Sequence, residues 1–459
     1  MDPTKLIARE EDLEGYFEIG AKARERWGIG IEYERFGVRG ETGEPLPYEG
    51  EVSVEGLLKA LVRSHGWTPI EEEGRVIGAS REGSRITLEP GGQLELSGAV
   101  HRTLAELRAE IVGFTAAIDS LSRPLGVAWM GVGLHPLAPL DAIPWIPKKR
   151  YAIMREYLPT RGSRAHVMMK QTACVQVNLD YGSEGDAMDK LRTAMGITPL
   201  VTALFANSPL LEGRTNGMMS YRSWVWRDTD PDRCGLLPFA FKDGAGFGDY
   251  LEYALGVPMF FVVRDGAYRP ARGMTFRKFI RKGFEKERAT VADFEIHLST
   301  LFPEVRIKRY LEVRGADSGA PEDCLALAAL WKGILYDGAS RRAAWEQVRH
   351  LSFRQRDDLL ERVAREGPAA RFPGSAARGD RSAKAPARVR DLLIELVRLA
   401  RQGLNNQGAP EEGAWLDRLE RRLGSEGGCP AYQLAAAWDG PFERDPRRLV
   451  ERLSHSDLA

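Results

Sequence analysis

The chain has 459 residues, with 65 Lys and Arg against 65 Asp and Glu and a hydrophobic share of 43%. Zero net charge leaves no overall field to draw it to nucleic acid or to an anionic membrane, and no run of about eighteen apolar residues is present to span one. The length and the apolar share suffice for one large catalytic body or two medium ones.

The first segment, "MDPTKLIAREEDLEGYF", is polar and acidic and lacks the basic-then-apolar order of a secretory signal, so the expected location is cytosolic. In "GIGIEYERFGV" the acids Glu32 and Glu34 are two apart, which on a strand places both on one face and Ile31, Tyr33 and Arg35 on the other. "RITLEPGGQLELSGAV", residues 85 to 100, reads as strand, turn and strand. A three-residue turn sets Glu89 opposite Gln93, with Glu95 next on that face and Leu94 and Leu96 behind. "HRTLAELRAEIVGFTAAIDSL" follows, with Leu104, Leu107, Ile111, Phe114, Ile118 and Leu121 at helical spacing.

Further along, "WIPKKRY" supplies Lys148, Lys149 and Arg150. "TACVQVNLDY" alternates Thr172, Cys174, Gln176, Asn178 and Asp180 with Ala173, Val175, Val177 and Leu179. Arg222 lies in "SYRSWVW". "DTDPDRCG" has Asp228, Asp230 and Asp232 but Arg233 where a calcium loop needs Gly, so that reading is rejected. "GAGFGDY" follows no clear strand and does not make a dinucleotide loop. In "EVRIKRYLEVRGAD", Lys308, Tyr310, Glu312 and Arg314 share a face against Ile307, Leu311 and Val313.

Residues 367 to 388 are rich in Ala, Gly, Pro, Ser and Arg and read as an exposed loop. "VRDLLIELVRLARQGL" then reads as an amphipathic helix stopping at Gly403. The expected organisation is a catalytic domain over 1–366, a flexible loop over 367–388 and a C-terminal helical segment over 389–459 packed back on the body. Interleaved strands and helices place the fold in the α+β class. Cys174, Cys234, Cys324 and Cys429 are 60, 90 and 105 residues apart, a spacing without C-x-x-C pairs, and are expected to be reduced and buried.

An open antiparallel sheet commonly turns a polar face to water, so each alternating strand taken singly reads as a solvated one. Carboxylates on neighbouring positions repel, however, and three strands carry them. A divalent cation offsets that repulsion, and Mg²⁺ is the hard ion that takes carboxylate oxygens while keeping waters and phosphates as its other ligands. Zinc fits less well, because the seven histidines are scattered singly. Acids, a metal and nearby cations point to phosphoryl chemistry, without a P-loop.

"GIEYERFG", "LEPGGQLELSGA", "WIPKKRYAIMREYLP", "MMKQTACVQVNLDY", "ALFANSP", "GMMSYRSWVWRDTDPDR", "YALGVPMFFV" and "FPEVRIKRYLEVRGAD" together resemble, in that order, the plant-type glutamate-cysteine ligases also found in many bacteria. The resemblance spans about residues 25 to 340, and more loosely the rest. It implies an antiparallel sheet forming an open funnel or barrel with helices outside, related to glutamine synthetase. It also implies ATP- and Mg²⁺-dependent joining of the glutamate side-chain carboxylate to the amine of cysteine through an acyl phosphate, the first step of glutathione synthesis, by a monomer or homodimer acting on these small molecules.

By motif, Glu32, Glu34, Glu89, Gln93, Glu95 and Glu312 are candidate metal ligands, and Arg222 and Arg314 candidate clamps for carboxylate or phosphate. Lys148, Arg150, Thr172, Gln176, Asn178 and Lys308 are read as substrate- or nucleotide-binding positions. His135 in "GVGLHP" stands where members often carry Gln. The stretch from Lys282 to Arg288 has no Cys, so the disulfide control noted for plant members is not expected. The alternatives are a related ligase with another acceptor amine and a non-catalytic paralogue; retention of mutually repelling acids argues against the second.

Overall fold

The computed structural model describes residues 1–373, 388–456 and 458. Its centre is a nine-stranded sheet whose pairings are all antiparallel. The strands are β1 (Ile29–Arg39), β2 (Thr68–Glu72), β3 (Arg75–Arg81), β4 (Ser84–Leu88), β5 (Leu94–Ser97), β6 (Val127–Met130), β7 (Cys174–Leu179), β8 (Val305–Ile307) and β9 (Leu311–Asp317). They run in the order β8-β9-β7-β1-β5-β4-β3-β2, with β6 on the far end of β1. The sheet is open, with β8 and β2 at its ends, and the barrel closure that the sequence allowed is not seen among the described residues.

Each central strand owes its place to alternation. Ile31 and Tyr33 of β1, Leu94 and Leu96 of β5, Val175, Val177 and Leu179 of β7, and Leu311 and Val313 of β9 all enter one buried core. Helices Leu104–Ser122, Glu184–Leu204, Pro321–Leu335 and Val389–Asn406 pack into the same core. Burial of those apolar faces leaves their polar partners on the opposite side, where the site is built.

The hairpin at 88–94 explains its glycines. Glu89 N–H donates to the Gln93 carbonyl at 2.9 Å, closing the expected three-residue turn. Gly92 has φ +84°, open to glycine at little strain, and a Cβ on Gly91 would collide with the Lys170 backbone. Thr103 caps the next helix by accepting from Glu106 N–H, and the Glu106 side chain answers to the Thr103 backbone.

Gly403 departs from expectation. The helix continues through it to Asn406, because this glycine serves close approach rather than termination: a Cβ there would strike the Gly333 carbonyl of the fully buried helix Pro321–Leu335. Gly403→Ala is therefore expected to lose about 1–3 kcal/mol in urea unfolding despite alanine's better helix propensity of about 1 kcal/mol. A neutral or stabilised variant would show that the crossing can relax.

Of the 367–388 loop, residues 374–387 lie outside the described residues. Leu392, Leu393, Leu396 and Val397 beyond it are buried in the main core.

Candidate active site

The polar side of the sheet lines a cavity of about 370 Å³. Three registers set its floor: Glu34 faces Glu95 across β1 and β5, Glu32 faces Gln176 across β1 and β7, and Arg306 faces Glu312 across β8 and β9. Helices Lys149–Tyr157 and Ala165–Gln171 close one side and present Tyr151, Met154, Met168 and Met169. Trp226 and Phe302 complete an apolar wall.

Four carboxylates line the cavity, and each rests on a neutral donor. Glu34 accepts from Cys174 N–H at 2.8 Å and from the Cys174 thiol at 3.1 Å. Glu95 accepts from the Ser97 hydroxyl, Glu32 from Asn178 Nδ2 at 3.3 Å, and Glu89 from Tyr151 Oη at 3.4 Å. Burial first, then repulsion from neighbouring carboxylates, pushes Glu32, Glu34 and Glu95 up to about 7, and Glu89 rises for the same two reasons.

A second cluster has the opposite balance. Glu312, fully buried, meets Arg306 at 2.5 Å, Arg314 at 2.6 Å and Lys308 at 2.9 Å. Burial alone would raise its carboxyl, but the three cations outweigh it and hold it well below the usual range. Arg314 Nη1 also donates to Gln176, and Arg222 is braced by the Arg314 carbonyl at 3.0 Å and by Asp317 at 3.7 Å. At the other end Lys148 donates to the Leu88 carbonyl at 2.8 Å, and burial pulls its ammonium down to about 8.

Counting the lining, Arg85, Lys148, Arg150, Arg222, Arg306, Lys308 and Arg314 stand against Glu32, Glu34, Glu89 and Glu95. The cavity therefore suits a polyanion together with a cation seated on the acids. Among the described residues no three His, Cys, Asp or Glu side chains form a ready-made metal site. The donor chemistry nevertheless fits a hard divalent ion, because these carboxylates repel one another and none of them is in a direct ion pair among the described residues.

A family profile described as glutamate-cysteine ligase family 2 (GCS2) matches residues 28–451. The chain belongs to this family. Curated relatives include the chloroplastic glutamate-cysteine ligase B of Oryza sativa subsp. japonica, 40% identical over 97% of this chain and 87% of its own length. The chloroplastic glutamate-cysteine ligase of Arabidopsis thaliana is 37% identical over 98% of this chain and 83% of its own. A crystal structure of glutamate-cysteine ligase from Francisella tularensis in complex with AMP shares the fold. Its TM-score is 0.54 at 13% identity, covering 94% of this chain and 90% of that one. The chloroplastic naming of these relatives overturns the cytosolic reading drawn from the polar N-terminus. No helix among the described residues is long and apolar enough to cross a membrane.

Within this glutamate-cysteine ligase fold, most residues singled out from sequence converge. Glu32, Glu34, Glu89, Gln93, Glu95, Lys148, Arg150, Thr172, Gln176, Arg222, Lys308 and Arg314 all line the cavity. Several have other duties than expected. Gln93 gives its amide to the Met169 and Thr172 carbonyls, and its Oε1 accepts from Gly91 N–H, so it braces the turn. Glu312, a candidate metal ligand by motif, lies beneath the lining in ion pairs with Arg306, Lys308 and Arg314. Asn178 orients Glu32 from outside the lining, and the Thr172 hydroxyl donates to the Met168 carbonyl. Lys149 turns out to Glu73 at 2.9 Å.

His135 is buried against Phe36, accepts from Ala138 N–H at 3.1 Å and does not line the cavity. All four cysteines are free; Cys234 is only partly buried, and Cys174 faces the site instead of the core. Asp228, Asp230 and Asp232 are taken up by Arg164, Arg233 and Arg161, in keeping with the rejected calcium loop. Arg306 and Ser97 were missed, although extending the two-residue alternation from Lys308 and Glu95 reaches both. The methionine wall carries no signal in sequence, since its facing is set by how two helices dock.

Proposed function

We propose that this cavity joins the γ-carboxylate of glutamate to the amine of cysteine with cleavage of ATP, giving the dipeptide that begins glutathione synthesis. The observation that carries the reading is the split lining, with paired carboxylates beside a basic cluster, in a member of the glutamate-cysteine ligase family. The open sheet serves as the wall of a funnel, with the apolar wall opposite it.

A carboxylate is a poor electrophile. Its oxygen attacks the γ-phosphorus of ATP, ADP leaves, and the acyl phosphate formed is attacked by the amine with release of phosphate. Arg314, Arg222, Lys308 and Arg306 hold the anionic oxygens through transfer, and Lys148 and Arg150 supply charge at the far end. Glu32, Glu34, Glu89 and Glu95 would hold Mg²⁺, which supplies neutralisation of phosphate charge when bound. Phosphate release that needs ATP, glutamate and an amine together tests the reading. A screen of acceptor amines should rank cysteine first, and phosphate release independent of glutamate would reject it.

Cation binding should depend on pH in a definite direction. Folded carboxyls near 7 lie above the ordinary value of 4.5, so the stability they lend is complete below 4.5 and is lost as pH rises through 7. His135 and His297, buried neutral with values near 3 and 4, act oppositely below 6.5. The histidine contributions are common to both states and cancel in the difference between melting temperatures with and without Mg²⁺. That difference is expected to grow as pH is raised from 5.5 to 8, because the ligands must lose protons to bind. A difference independent of pH would place the cation elsewhere.

A further inference from the structure

We propose that Cys174 is a positioning residue: its thiol and its backbone N–H together fix the carboxylate of Glu34 and so set the affinity of the acid cluster for a divalent cation. The inference rests on the reading of those acids as cation ligands.

The geometry comes from where a ladder stops. β1 and β7 pair from Ile29 with Leu179 to Tyr33 with Val175, and the next residues on the two strands are Glu34 and Cys174. The Cys174 N–H therefore has no ladder partner on β1 and donates to Glu34 Oε2 at 2.8 Å, while Sγ donates to Oε1 at 3.1 Å. One residue thus spans both oxygens of one carboxylate. Glu34 and Cys174 are both buried, at 8% and 4% exposure, in the lining of the cavity. These are the hydrogen bonds that the Glu34 carboxylate makes among the described residues, and its orientation depends on them. Each oxygen keeps a second lone pair for a cation.

A thiol is a weak donor and does not neutralise the acid as an arginine would, as the three cations on Glu312 do. Glu34 is therefore held in place yet left with its charge for an incoming ion. Partners of this kind orient metal ligands, and their removal costs about 10- to 100-fold in affinity. A cysteine present only to fill space would not show this dependence on a donor.

The test is Mn²⁺ binding to the full chain without nucleotide, followed by calorimetry and by the electron paramagnetic resonance of free Mn²⁺. Cys174→Ala is expected to weaken binding about tenfold, and Cys174→Ser, which keeps a donor, to restore most of it, with melting temperatures close to wild type in both. Cys174→Val, which fills the space without a donor, should bind as poorly as the alanine variant and answers the question should that variant fail to fold. Wild-type affinity in Cys174→Ala or Cys174→Val, or equal loss in Cys174→Ser, overturns the proposal. Glu34→Gln separates the two levels. If it binds Mn²⁺ normally, the underlying reading of the acids has failed; if it binds weakly while the donor-free variants bind normally, only the role of Cys174 has.

Discussion

Glu95→Gln is expected to lower kcat by about a hundredfold or more and to raise the Mg²⁺ concentration for half-maximal rate, with a melting temperature equal to or above wild type. The two effects have one cause. Glu95 faces Glu34 across the sheet and is crowded by Glu89, and its carboxyl is pushed up to about 7 by burial and then by Glu89. Taking its charge away relieves repulsion in the folded chain but removes part of the field that would hold a cation against phosphate. Glu312→Gln makes the contrast. It strands Arg306, Lys308 and Arg314 around a neutral group, so it should destabilise the fold by about 3–5 kcal/mol as well as slow turnover. Rate against Mg²⁺ concentration and thermal unfolding distinguish the two variants. If Glu95→Gln turns over at the wild-type rate under limiting Mg²⁺, the acids do not hold the ion.

Arg314→Lys should lower kcat/KM by about two orders of magnitude while unfolding within a few degrees of wild type. Arg314 Nη1 is occupied by Glu312 and Gln176, whereas Nη2 makes no hydrogen bond among the described residues and belongs to a side chain that lines the cavity. One arm of the guanidinium is thus anchored and the other is available to an anionic oxygen, a division that a lysine cannot make because its ammonium is a single point. The pairing with Glu312 survives the substitution in kind, so the stability that it lends should largely remain. The bulge between Val313 and Ala316 lies beside this residue and breaks the regular pairing of β9 with β7 there. A variant that unfolds many degrees earlier, and whose folded fraction turns over normally, would make Arg314 a scaffold residue.

Strand parity made much of this site legible. Glu32 with Glu34, Thr172 with Cys174 and Gln176, and Lys308 with Arg314 were assigned to one face from two-residue spacing, Glu89 with Gln93 and Glu95 from the three-residue turn as well, and each pair or trio lines the cavity. Parity says which residues share a face; it is silent on how far each reaches or what else reaches it. Gln93 and Glu95 share parity, yet one amide is used up on the backbone of a neighbouring helix end and one carboxylate is left to repel its neighbours.

Alternation and the Pro90-Gly91-Gly92 turn by themselves determined one hairpin and a set of strands with an acidic and basic polar face, because side-chain direction on a strand is fixed by local backbone geometry. Only the tertiary structure decided which charges meet. β8 and β9 bring Arg306, Lys308 and Arg314 onto Glu312, while Glu34, distant from all three in sequence, is left to the thiol of Cys174. A carboxylate's role depends on the cations within a few ångströms of it, and those distances come from strand order and helix docking, which local sequence does not encode.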